Sequence, residues 1–324
     1  AATSRVRRRR RPHGRIGESI VRETGQSADA LANLLGRHEF PAELWVKAAS
    51  YLQRSGQLPI DQAAVREAVA QFEMALQAGQ HLAETSISFE RAIDLRFDLR
   101  NALWSIGGFE QILEHLNDAE VLANRRMDPS RLGWISVFRS ASHWQLGRSA
   151  RAIASAEDAL AISKTVDDES LSVGANFYLG CAHITTGNCH KAEPYFETIA
   201  KSLIGERQYD RCGLPFVPAV ISRSWLVWSL AERGEFEQGQ RYADEALQSA
   251  MDVGHPFNLA HIYYDIGYFY EVKGEFDRAV DALSRGYDLI QEWNLSYLSP
   301  FITGFYGHAC VLDGRVKYGT ELLR

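Results

Sequence analysis

Six glycines stand at nearly equal intervals along this chain: Gly107, Gly147, Gly187, Gly234, Gly274 and Gly314, separated by 40, 40, 47, 40 and 40 residues. Each closes the same kind of segment: Leu103-Trp-Ser-Ile-Gly-Gly-Phe, His143-Trp-Gln-Leu-Gly-Arg, His183-Ile-Thr-Thr-Gly-Asn, Leu230-Ala-Glu-Arg-Gly-Glu-Phe, Tyr270-Glu-Val-Lys-Gly-Glu-Phe and Cys310-Val-Leu-Asp-Gly-Arg. An apolar run at helical spacing precedes each glycine and another follows it. Ile262, Ile266, Phe269 and Tyr270 share one helix before Gly274; Phe276, Ala279, Leu283 and Leu289 share one after it. Glycine supplies the left-handed residue that stops the first helix. The repeating unit is therefore a helix–turn–helix hairpin, which buries its apolar face only by stacking on its neighbours. The predicted fold is all-α: a right-handed α-solenoid of hairpins, with a concave face lined mainly by the first helix of each pair.

Small residues recur in phase with the turns. Gly180, Gly267 and Gly307 sit seven residues before their turn glycine, Ala152, Ala192 and Ala279 five after it, and Ala119, Ala159 and Ala246 twelve after it. This pattern resembles the tetratricopeptide repeat, with its small eighth, twentieth and twenty-seventh positions. The period here exceeds that family's usual ~34 residues, so longer helices or longer links must absorb the difference. A seventh, earlier copy is expected over residues 44–78, with Gly56, Ala68, Phe72 and Ala75 in phase and Pro59 interrupting it. The expected organisation is a basic, solvated tail over 1–14, a helical junction over 15–58 and the repeat array over 59–324. The last copy stops within its second helix, at Leu323-Arg324, and the chain opens on Ala-Ala-Thr with all three methionines internal. It reads as a piece of a longer product.

Hydrophobic residues make up 46% of the chain and charged residues 23%, which excludes a wholly disordered chain. No apolar stretch approaches the ~18 residues of a membrane helix, so no membrane partner is expected. Net charge is −6, but residues 1–15 hold seven arginines and no acid, so the other 309 residues carry −13. The Arg7–Arg11 run is the only segment suited to phosphate contact with a nucleic acid; as a like-charge block it reads more simply as a solvated tail. Four cysteines (Cys181, Cys189, Cys212, Cys310) make no disulfide framework, which predicts a reducing, cytoplasmic compartment.

The repeat register places Trp134, Phe138, Trp144, Phe177, Trp225, Trp228, Tyr264, Tyr268 and Phe305 on the inward side of the first helices, with Asp98, Asn101, His183, Arg223, His261, Asp265 and His308 among or beside them. Aromatic bodies with a few polar tips suit a peptide or an amphipathic helix. The alternative is that these rings pack between helices. The 47-residue interval holds an insertion over 205–218 whose two prolines and two glycines forbid a continuous helix. There Arg207 and Arg211, four apart, form a candidate anion clamp, with pairing to Glu206, Asp210 or solvent as the simpler reading.

Catalytic signatures are missing. There is no phosphate-cradling Gly-x-x-x-x-Gly-Lys-Ser/Thr, no Gly-x-Ser-x-Gly elbow and no His-Glu-x-x-His. Cys181, His183, Cys189 and His190 form the densest potential metal cluster, but they straddle a helix-ending glycine at the wrong spacing for zinc. No metal and no cofactor are expected, and the chain reads as non-catalytic.

Three stretches near the N-terminus (His13-Gly-Arg-Ile-Gly-Glu-Ser-Ile, Ala30-Leu-Ala-Asn-Leu-Leu-Gly-Arg-His-Glu-Phe and Glu43-Leu-Trp-Val-Lys-Ala-Ala-Ser-Tyr-Leu), together with residues 94–103 and 213–226, resemble bacterial signalling proteins. In that group an AAA-type ATPase, often behind a class III adenylate or guanylate cyclase domain, passes into a tetratricopeptide array. The resemblance implies a sensor or scaffold that regulates the ATPase or cyclase in a parent protein. It carries over no catalytic residue. The alternatives are a free-standing scaffold without a relay role, or a chain classed with the cyclases although it lacks their site. Partners implied are a protein or peptide, or a small ligand; self-association is compatible with the pattern.

Overall fold

The computed structural model describes residues 62–79, 86–295 and 297–324. Among them are thirteen α-helices, one 3₁₀ turn and no strand. The helices are α1 (Gln62–Gly79), α2 (Ser86–Ser105), α3 (Phe109–Arg126), α4 (Pro129–Gln145), α5 (Ser149–Val166), α6 (Glu169–Thr185), α7 (Cys189–Ser202), α8 (Pro218–Glu232), α9 (Phe236–Val253), α10 (Pro256–Lys273), α11 (Phe276–Glu292), α12 (Ser299–Leu312) and α13 (Val316–Leu322). The all-α hairpin array expected from the glycine phase is present. The tail and the junction expected over residues 1–58 lie outside the described residues, as do Gly56 and Pro59 of the early copy. Of that copy, Ala68, Phe72 and Ala75 are buried on α1.

All six turn glycines adopt positive φ, between 69° and 87°. Each turn is closed by the same two backbone bonds. At Gly274 its own N–H donates to Glu271 O, and the next N–H, of Glu275, donates to Tyr270 O. This pairing satisfies the last carbonyls of the first helix. A Cβ would meet nothing within 4 Å at these positions, so the requirement is conformational and not steric.

A second left-handed stop lies twenty residues after four of these glycines, at Met127, Asp167, Gly254 and Asn294, with φ of 49–64°. Both helices of a typical pair are therefore 17–18 residues long, as in α4, α5, α6, α9, α10 and α11. Longer helices, rather than longer links, account for the 40-residue period. Restarts are marked chemically. Asp168 accepts the Leu171 N–H and Asp128 accepts that of Arg131, while Pro218, Pro256 and Pro300 occupy first turns.

The chain forms two compact units, divided within α4 between Ile135 and Ser136. In the first, α2 packs on α1 and α3 through Phe72, Ile93, Leu99, Ile112 and Leu116, all nearly inaccessible. The partly buried guanidinium of Arg131 reaches Asp94 at 3.0 Å and Asp128 at 2.8 Å. In the second unit, successive helices from α5 to α13 pack pairwise, and the first helices also touch one another: α6 on α8, α8 on α10, α10 on α12. The in-phase small residues sit where hairpin partners approach closely. A Cβ on Gly180 would lie 2.4 Å from the Phe196 ring, and one on Gly267 would lie 2.3 Å from Leu283. In both cases a glycine of the first helix receives the residue sixteen positions on. Ala119, Ala152, Ala159, Ala192, Ala246 and Ala279 are all fully buried.

The insertion takes the form of a shortened α7, a 3₁₀ turn at Gly205–Tyr209 and a bend with positive φ at Cys212 and Gly213, before Pro218 opens α8. Among the described residues no helix is long and apolar enough to cross a membrane.

Candidate functional site

The first helices of the second unit present a run of rings built by the repeat register itself. Nine residues before each turn glycine stand Tyr178, Trp225, Asp265 and Phe305; six before stand Cys181, Trp228, Tyr268 and His308. Positions three apart share a helix face, so the rings of neighbouring first helices meet. Trp144 of α4 lies 6.1 Å from Trp225 of α8, and Trp225 lies 6.0 Å from Trp228. Trp228 stacks on Tyr268 of α10 at 3.6 Å and 13°, and meets Phe305 of α12 edge-on at 6.0 Å. Tyr264 closes the cluster, 5.6 Å from Trp228 and 5.2 Å from Phe305. These six rings are all half-buried, with one part packed and one part open.

Other inward candidates have different roles. Phe138 and Phe177 are only 6% and 3% exposed, so they support the face from behind. Phe177 packs on Phe196 and on Phe216 of the insertion, at 6.0 and 4.7 Å. For these two the packing alternative holds. Trp134 is half-buried and belongs to the first unit, as do Asp98 and Asn101. Arg223 donates to the Ala219 and Ala200 carbonyls and ties α8 to the end of α7. His183 stacks flat on Tyr195 at 5.7 Å, and His308 reaches Glu271 at 2.8 Å.

Beneath the rings lies a polar knot that joins α8 to α10. The Asp265 carboxylate is 1% exposed. It accepts from Ser224 Oγ and pairs with His261 Nδ1 at 3.0 Å. Burial pushes the Asp265 carboxyl above the ordinary carboxylate range, against the lowering pull of His261. Burial, together with the nearby Asp265 charge, pushes the Cys181 thiol well up. In this knot the carboxylate engages both the hydroxyl and the imidazole, and Ser224 Oγ also lies 3.4 Å from His261 Nδ1. Ser224 was not visible as a site residue in the sequence. Its small side chain carries no pattern of its own, and only the contact with Asp265 reveals it.

At the turn end of the ring face opens a cleft of about 590 Å³, bounded by Ile184, Asn188, Lys191, Trp228, Glu232 and Arg233. Tyr268 donates its hydroxyl to Glu232, and Arg233 is neutralised by Glu193 at 2.6 Å. Arg207 of the insertion pairs with Glu169 at 2.9 Å and lies 3.8 Å from Asp210; Arg211 is exposed. Among the described residues no three of His, Cys, Asp and Glu gather into a metal site.

No protein-family model matches the chain, and no curated protein matches its sequence. Solved structures do. A Rap protein complexed with competence and sporulation factor aligns over 93% of this chain and 91% of its own, with a TM-score of 0.57 and 14% identity. The Rap conjugation gene regulator of plasmid pLS20, in complex with the Phr* peptide, aligns over 89% and 78%, with a TM-score of 0.61 and 14% identity. Bacillus thuringiensis PlcR, in complex with the peptide PapR7 and DNA, aligns over 79% and 89%, with a TM-score of 0.51 and 12% identity. The fold is a tetratricopeptide-like solenoid. At these identities the likeness is one of architecture alone. The tetratricopeptide-like array of this chain is similar to those proteins in fold.

Proposed function

We propose that this chain is a non-catalytic recognition module that takes a peptide, or an extended segment of a partner protein, on the ring face of its second unit. The observation that carries the reading is the continuous set of half-open rings from Trp144 through Trp225 and Trp228 to Tyr264 and Phe305, with a cleft at one end. Rings of this kind offer large contact area with few rotamers to immobilise. The peptides present in the complexes of the pLS20 Rap regulator and of PlcR support the same reading. Regulation of an attached ATPase or nucleotide cyclase is the role that the resemblance of residues 13–52, 94–103 and 213–226 adds to it. A ligand would bias such a partner only by binding two arrangements of the hairpins unequally.

The test is fluorescence anisotropy with a fluorescein-labelled random decapeptide library, comparing the parent with Trp228→Ala and Tyr264→Ala, each checked for retained helicity. A loss of roughly tenfold or more is expected in each variant, the scale of a ring at the centre of an interface. Unchanged binding in both would remove the ring face from the function.

A further inference from the structure

The cleft of about 590 Å³ at the turn end of the ring face is lined by Trp228 and Glu232 of α8, Ile184 of α6, and Cys189 and Lys191 of α7. Its ring and its carboxylate come from adjacent turns of one helix, because positions four apart share a face. The next first helix repeats the device. Tyr268 of α10 stacks on Trp228 at 3.6 Å, and Glu271 follows it one turn later. Tyr268 donates its hydroxyl to Glu232 Oε1, and Glu271 Oε1 reaches His308 of α12 at 2.8 Å. The other oxygen of Glu271 is buried without a hydrogen-bond partner, so that charge is only partly compensated.

The charges on these helices are one-sided. The carboxylates of α8, α10 and α12 are Glu232, Asp265 and Glu271, and their lysines and arginines are Arg223 and Lys273 alone. Both cations are committed elsewhere: Arg223 donates to the Ala219 and Ala200 carbonyls, and Lys273 pairs with Glu275 at 2.6 Å. Arg233, at the cleft, is held by both oxygens of Glu193, at 2.8 and 2.6 Å. Two neighbours register the resulting field. Burial, then the bond to Glu232 and the charges of Glu232 and Glu271, push the Tyr268 hydroxyl up. Burial, then the charges of Glu232 and Glu193, push the Cys189 thiol up against the lowering bond with Ser229. Residues 136–324 hold 17 Lys and Arg against 24 Asp and Glu, a net charge of −7, which draws cations towards the unit before contact.

Resting on the peptide-binding reading above, we infer that this cleft is the subsite for an arginine side chain of the ligand, its guanidinium held by the Trp228 indole and the Glu232 carboxylate. A planar cation suits both walls. It lies on an aromatic ring through cation–π attraction and offers a fork of N–H donors to a carboxylate. Tyr268 fixes Glu232 through Oε1, and Oε2 accepts from the guanidinium. Lys191 is exposed on a flexible four-carbon stem, so it turns into solvent when a second cation enters.

The experiment titrates N-acetylated, C-amidated hexapeptide libraries, randomised over uncharged residues except at the third position, following tryptophan fluorescence. That position holds arginine, its neutral isostere citrulline, or glutamate. The parent is expected to bind the arginine library about tenfold more tightly than the citrulline library, and the glutamate library weakest. Glu232→Gln keeps an oxygen for the Tyr268 hydroxyl and removes the charge, and is expected to bind the arginine and citrulline libraries alike. Lys191→Ala is expected to bind the arginine library at least as tightly as the parent does. Equal binding of arginine and citrulline libraries by the parent overturns the subsite and leaves the peptide-binding reading standing. Discrimination that survives Glu232→Gln overturns the placement at Glu232. Tighter binding of the glutamate library, lost in Lys191→Ala, would assign the cleft to an anion and overturn the inference. If no library binds the parent, the peptide-binding reading itself falls, and the subsite with it.

Discussion

Glycine does two different jobs in this chain, and a single added methyl separates them. At Gly187 the backbone sits at φ +73° with open space around it, whereas at Gly180 a Cβ would strike the Phe196 ring at 2.4 Å. Gly187→Ala is expected to cost about 1 kcal/mol, the penalty of a left-handed alanine. Gly180→Ala is expected to cost about 1–3 kcal/mol by overpacking, and Phe196→Leu in the same chain should recover part of it. Urea unfolding of these three variants and of Gly187→Ala with Phe196→Leu checks both, and a Gly187→Ala cost that Phe196→Leu also relieves would contradict the distinction. Asp265 supplies a pH signature. Its carboxyl is raised in the folded protein, so the folded state holds the proton longer than the unfolded chain does. The parent therefore loses stability as pH rises through the unfolded carboxyl value towards the raised folded one. Asp265→Asn is expected to gain on the parent between about pH 4 and about pH 7. Urea midpoints that differ by the same amount at both pH values would refute this.

The hairpins were legible because all six first-helix stops carry glycine, the residue with least cost in the left-handed region, and six in phase leave few alternatives. The restarts were not. Their stops fall on Met127, Asp167, Gly254 and Asn294, of which only Gly254 carries the expected residue; asparagine and aspartate tolerate the conformation and methionine leaves no trace. Helix caps repair the loss of signal locally. Asp168→Ala is expected to destabilise by about 1 kcal/mol through the lost bond to the Leu171 N–H, measurable as a lower urea midpoint. The insertion contrasts with this. Arg207 and Glu169 are about half exposed, so Arg207→Ala is expected to shift stability by less than about 0.5 kcal/mol. A larger shift would mean that the bend leans on that pair. The same limits apply to the ring face. Helical spacing places Phe138 and Phe177 inward as readily as Trp228, and periodicity cannot tell a ring wedged between helices from one left open.

At the scale of the molecule, nearest-neighbour stacking was readable from the period, but closure was not. Gln145 and Tyr297 meet only because the hairpins between them turn far enough to bring them together, which no local pattern encodes. The knot of Ser224, His261 and Asp265 likewise depends on how α8 lies against α10. The second family of left-handed stops has a practical consequence. With φ reversing twenty residues after four of the turn glycines, the forty-residue stretches from Met127 to Asp167 and from Gly254 to Asn294 begin and end at matched joints. Copying the segment from Gly254 to Trp293 in tandem should lengthen the protein by one rung without redesign of either seam, whereas a graft whose cut falls at Gly205–Tyr209 would inherit a joint that has no counterpart among the other described residues.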